Sequence, residues 1–134
     1  SDLDSHLFTQ RGTETSHVWF GSKEDSFGND LDVDDTSSYG PETVTIKQFS
    51  AEDYYKYCVF DFTNGVRENT QSYELSNSGA TVQVYTDQGL AATYHVPTNR
   101  PGVVWEIFEI RNGRITPIQR YYNYVSSQDW WMHG

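Results

Sequence analysis

Residues 103–118 read VVWEIFEIRNGRITPI, two apolar-rich runs joined by Asn112-Gly113. An Asn-Gly pair supplies the two positive-φ positions of a tight hairpin turn, so this stretch predicts antiparallel strands over Val103–Arg111 and Ile115–Tyr122. Residues 80–96, ATVQVYTDQGLAATYHV, repeat the logic, with Thr86–Gly89 as the turn between Ala80–Thr86 and Ala91–Val96. Period-two spacing puts Val82 and Val84 on one face and Thr81 and Gln83 on the other. Leu90, Ala92, Tyr94 and Val96 are expected to face the same core. In Val103–Ile110 both parities are apolar, which predicts a central strand or a bulge, with Trp105 structural.

Outward from these hairpins the same short β-rich runs recur. Further strands are expected over Leu3–Thr9, Ser16–Phe20, Thr43–Phe49 and Asp53–Phe62, with Leu31–Val33 as a short addition. No apolar spacing of three to four residues marks a helix. The expectation is an all-β antiparallel sandwich of about eight strands, immunoglobulin-like or jelly-roll-like, with little or no helix. The stretch Gly21–Tyr39, rich in Ser, Gly, Asn and Asp, is expected as a long functional or ion-binding loop.

The chain has 134 residues. That length makes residues 1–134 one domain, able to bury about two thirds of its extended-chain surface. Apolar residues make up only 36% but aromatics 16%, so large rings must supply much of the core. A net charge of −10 opposes binding to nucleic acid or anionic headgroups. No apolar run approaches membrane-spanning length. The single cysteine, Cys58, excludes an internal disulfide and reads as a small buried hydrophobe within YYKYCVFDF. The opening Ser1-Asp2-Leu3-Asp4, without Met, reads as the start of a module excised from a larger secreted protein and flanked there by other modules.

Acidic residues cluster. Asp2 and Asp4 precede His6, and Asp30, Asp32, Asp34 and Asp35 fall together in NDLDVDDT, with Glu42 following. Residues two apart in a strand share a face, so Asp2, Asp4 and His6 align, as do Asp32 and Asp34. Converging carboxylates repel unless a cation neutralises them, and a hard ion with oxygen ligands fits best. A structural calcium held by Asp2, Asp4, Asp32, Asp34 and Asp35 is therefore expected. DLDVDD lacks the glycine and glutamate of an EF-hand loop. Asp4, His6 and Asp34 offer a transition-metal alternative, but His17, His95 and His133 fall on other segments, and the reading stays with calcium.

Catalytic signatures are missing from the sequence: it has no GxSxG, no HExxH and no phosphate loop. Two opposed carboxylates would need a deep cleft that a small sandwich has little chain to build. The domain is expected not to be an enzyme. Aromatics are grouped instead, at Tyr54-Tyr55, Tyr121-Tyr122 and Trp130-Trp131. Adjacent rings in a strand point to opposite faces, so one of each pair is available to stack on a sugar. Trp130, Trp131, Tyr121 and Tyr122 are the expected ligand-binding residues. The alternative is that these rings pack in the core and staple the tail to the sheet.

The segments DLDSHL, HVWFG, LDVDDTSSYGPET and 80–118 together resemble the YfaP-like family of uncharacterised bacterial domains. The resemblance rests on Asp2, Asp4 and His6, then on Asp32, Asp34, Gly40, Pro41 and Glu42. It implies an extracellular or cell-surface β-sandwich, often one module among several, and brings no established activity. The reading that follows is a non-catalytic carbohydrate-binding or glycan-adhesive module stabilised by calcium, with a polysaccharide as partner. A structural spacer or protein-adhesion module without a glycan ligand is the alternative.

Overall fold

A computed structural model describes residues 3–18, 29–32, 43–46, 49–61, 72–86 and 89–122; at 4, 18, 29–32, 43–46 and 122 the description is of backbone alone. The strands are β1 (Leu3–Arg11), β2 (Glu14–Val18), β3 (Asn29–Asp32), β4 (Thr43–Ile46), β5 (Tyr54–Asp61), β6 (Thr81–Thr86), β7 (Gly89–His95), β8 (Val104–Arg111) and β9 (Arg114–Tyr122). No helix occurs among the described residues. One sheet has five strands in the order β2-β1-β5-β8-β9, and β3–β4 and β6–β7 form two-stranded pairs. Every pairing is antiparallel, and the architecture is the expected all-β, sandwich-like one.

Both hairpins read from the sequence are present. Asn112 and Gly113 take φ values of 54° and 74°, the left-handed pair that a type I′ turn requires. Gly113 is needed twice over, since a Cβ there would lie 3.3 Å from the Ala51 side chain. A third hairpin went unread: Gly12, at φ 61°, and Thr13 join β1 to β2, and Arg11 pairs with Glu14 across them. Within the stretch Gly21–Tyr39, the short addition expected at Leu31–Val33 corresponds to β3, and the rest of that stretch lies outside the described residues.

The main core lies between one face of the large sheet and the β6–β7 pair. Leu3, Leu7, Tyr55, Tyr57, Val59, Trp105, Ile107, Phe108 and Ile110 meet Leu75, Ala80, Val82 and Val96, with Val84 and Tyr94 packed against them. Rings bridge the layers: Phe108 stacks on Tyr57 at 5.4 Å and on Tyr94 at 5.6 Å. Such contacts add about 0.5–1.5 kcal/mol each beyond area burial, which is how an aliphatic-poor chain closes its core.

Register shifts interrupt three ladders, β5–β8, β6–β7 and β8–β9, and the first two decide which side chains face the core. Tyr57 pairs with Phe108 and Cys58 with Glu106, which leaves Ile107 as an extra residue in β8. Parity therefore flips within β8, and Trp105 and Ile110 join one core despite their odd spacing. Trp105 is fully buried, with its Nε1–H donating to Gln119 Oε1 at 2.9 Å. In the second bulge Val84 pairs with Ala92 but Tyr85 with Leu90, so Ala91 is extra. This overturns one expected orientation: Leu90 turns outward with Tyr85, and they are 54% and 65% exposed.

Candidate functional site

The residues expected to bind a cation or a sugar fall largely where nothing can be said of their side chains. Asp2, Asp34, Asp35, Trp130 and Trp131 lie outside the described residues. Asp4 pairs with Phe60 in β1–β5, Asp32 closes β3 opposite Thr43, and Tyr122 closes β9 opposite Val104. Tyr121 is half-buried and packs against the main core, where its hydroxyl donates to the Gly102 carbonyl at 3.3 Å. Burial, aided by the charge of Asp61, pushes its hydroxyl up to about 12. Among the described residues no group of three or more His, Cys, Asp or Glu side chains is placed to hold a metal ion.

Two surfaces carry chemistry that the sequence reading did not single out. The first is the outer face of β6–β7, opposite the Val82 side. Across it Thr81 pairs with His95, Gln83 with Thr93 and Tyr85 with Leu90. The Tyr85 hydroxyl donates to Gln83 Oε1 at 3.0 Å, and Thr81 Oγ1 lies 3.3 Å from His95 Nδ1. None of these six side chains carries a formal charge with His95 neutral, although the chain as a whole is strongly acidic. The arrangement is one exposed ring, fixed by its own hydroxyl, beside uncharged hydrogen-bonding groups.

The second surface is the other face of the large sheet, where a polar row crosses a small apolar cluster of Phe8, Cys58, Phe60, Val103 and Val104. His6 faces Cys58 in the ladder, Cys58 faces Glu106, and Glu106 faces Arg120. Lys56 Nζ donates to Glu106 Oε1 at 3.4 Å, with the pair only 6% and 0% exposed. Arg120 stands 3.7 Å from the other carboxylate oxygen and is half exposed. Burial pushes the Cys58 thiol up, so it stays protonated and inert at neutral pH.

At the β2 end of this row, His6 Nδ1 and His17 Nε2 are 2.7 Å apart. Phe8 stacks on the His17 ring at 4.2 Å, and Phe60 meets the His6 ring edge-on at 6.0 Å. Burial lowers both imidazoles: His6 falls well below its ordinary value, with His17 contributing, and His17 falls to about 4. Both are neutral at physiological pH. The sequence reading placed His17 on an unrelated segment because it missed the Gly12-Thr13 turn, which folds β2 back along β1.

Comparison with known proteins returned no match to a family model, to a curated protein or to a solved structure.

Proposed function

We propose that this domain is a non-catalytic glycan-binding module of a secreted or cell-surface protein, and that the outer face of β6–β7 receives a neutral polysaccharide. The observation that carries the reading is Tyr85. The residue is 65% exposed on a β-strand, and its hydroxyl donates to Gln83. The apolar face of a sugar ring stacks on such a platform, and Gln83, Thr93, Thr81 and His95 match the sugar hydroxyls around it. A fixed ring loses little rotamer freedom on binding, which lowers the entropic cost of association. The net charge of −10 disfavours anionic polymers, whereas a neutral glycan meets no repulsion. The extracellular setting rests on composition and on the YfaP-like motifs. A structural calcium at the aspartates remains part of the proposal on the sequence alone.

Affinity electrophoresis against a panel of neutral and acidic polysaccharides, in calcium and again in chelator, tests this. At least one neutral glycan is expected to retard the protein, with retardation lost in Tyr85→Ala while the far-UV spectrum is unchanged. No retardation on any glycan would overturn the function in favour of a spacer or protein-adhesion role. Loss in Trp130→Ala/Trp131→Ala but not in Tyr85→Ala would keep the function and overturn the β6–β7 face.

A further inference from the structure

We propose that the outer face of β6–β7 selects glycans built of N-acetylated amino sugars, with Gln83, Leu90 and Thr93 reading the acetamido group. The inference rests on the glycan reading above and names the sugar class that this face fits. Gln83 stands two residues before Tyr85 on β6, Leu90 pairs with Tyr85 across the ladder, and Thr93 pairs with Gln83. Residues two apart on a strand are separated by about 6.5 Å, and directly opposite residues by about 4.5–5.5 Å. Gln83 and Leu90 therefore flank Tyr85 from two directions, one along the strand and one across it, and Thr93 sits at the diagonal.

What each neighbour offers follows from what it already bonds. Gln83 Oε1 accepts the Tyr85 hydroxyl at 3.0 Å, which orients the amide and leaves its Nε2 hydrogens without a protein acceptor among the described residues. Thr93 is exposed, with a hydroxyl that both donates and accepts. Leu90 is 54% exposed, an apolar side chain beside the ring platform.

A sugar hydroxyl satisfies Gln83 or Thr93 but has nothing to place on Leu90. An acetamido group carries all three complements on one small planar unit: a carbonyl oxygen to accept from Gln83 Nε2, an N–H to donate to Thr93 Oγ1, and a methyl to cover Leu90. Covering Leu90 with a methyl removes apolar surface from water, whereas pressing a hydroxyl against it strips that hydroxyl of a hydrogen-bond partner. N-acetylation also removes the ammonium charge of an amino sugar, so selection here is by hydrogen bonding and apolar contact and does not draw on the negative field of the chain.

The test titrates the full 134-residue chain with chitopentaose and cellopentaose, whose rings differ only in acetamido for hydroxyl, by isothermal titration calorimetry. A parallel NMR titration compares N-acetylgalactosamine with galactose. The acetamido member of a pair is expected to bind at least about tenfold more tightly, the combined effect of one covered methyl and one added hydrogen bond. Leu90→Ser should lower that preference by about fourfold. Gln83→Glu keeps an acceptor for the Tyr85 hydroxyl but replaces the amide donors with a carboxylate, and should abolish the preference. Both side chains are exposed, circular dichroism checks the fold of each variant, and the comparison on the unmodified chain needs no variant. Equal binding within both pairs, or a full preference retained by folded Gln83→Glu, would overturn the acetamido inference and leave glycan binding in place. Binding to neither pair while another neutral polysaccharide retards the chain would overturn it in the same way. Failure of every glycan would overturn the glycan reading itself, and this inference with it.

Discussion

Replacing Lys56 by Met probes how the sheet tolerates ions in its interior. Lys56 on β5 and Glu106 on β8 are 6% and 0% exposed and meet at 3.4 Å, so neither is solvated by bulk water. Breaking a buried pair from one side costs about 3–5 kcal/mol, because the remaining charge keeps its desolvation penalty and loses its partner. Arg120, 3.7 Å from Glu106 Oε2 and 51% exposed, retains part of the neutralisation. Lys56→Met is therefore expected near the lower bound, about 3 kcal/mol. Glu106→Leu leaves a buried ammonium and should cost at least as much. The double variant replaces both ions with apolar groups and should lie within about 1 kcal/mol of the parent, a coupling of about 5 kcal/mol.

Urea denaturation followed by tryptophan fluorescence measures this. With a slope of about 1.5 kcal/mol/M, each single variant moves the midpoint down by about 2 M, and the double variant by less than about 0.7 M. Raising NaCl tenfold should leave the coupling unchanged, since screening acts weakly on buried charges. Single variants within about 0.5 M of the parent, or a double variant as unstable as the sum of the singles, would refute the picture of a dry, mutually neutralised pair.

The turn and the buried phenol give two further predictions. Gly113→Ala should destabilise the domain by at least about 1 kcal/mol in the same assay, because a Cβ is strained at positive φ and would lie 3.3 Å from Ala51; a change under about 0.3 kcal/mol would refute that reading. Tyr121 is held up to about 12, chiefly by burial, against an ordinary value of 10.0. The unfolded chain therefore ionises this phenol first and binds fewer protons than the native state, so the contribution of Tyr121 is complete below pH 10 and is lost as pH rises toward 12. Tyr121→Phe should flatten that part of the alkaline stability curve, and absorbance at 295 nm should show one fewer late-titrating tyrosine; an unchanged curve would show that the ring is solvated.

The β8–β9 and β6–β7 hairpins were legible because their signals are local. Asn112-Gly113 names its own turn, and alternation in Thr81–Val84 names its own face. The Gly12-Thr13 turn was equally local in principle. Pairing Arg11 with Glu14 across it fixes Phe8 opposite His17 and brings His17 diagonally beside His6, but an Arg-Gly-Thr-Glu run carries no Asn-Gly or Asp-Gly signature and was passed over. The outward turn of Leu90 was not local. It depends on Ala91 as an extra residue, and alternation has no means of counting a residue that the partner strand does not match.

For the sites the division is sharper. Aromatic and acidic clusters are compositional facts, visible along the chain, and they supported a glycan and a cation as ligands. Which ring faces solvent is decided by pairing across the ladders: Tyr121 is drawn onto the core opposite Trp105, while Tyr85 is turned out beside Leu90. The Lys56–Glu106–Arg120 row and the His6–His17 pair arise in the same way. Alternation along one strand specifies its in-or-out pattern because the side-chain period is a property of the single chain. The neighbour across the ladder is set by register and by bulges, which exist only once the strands have met.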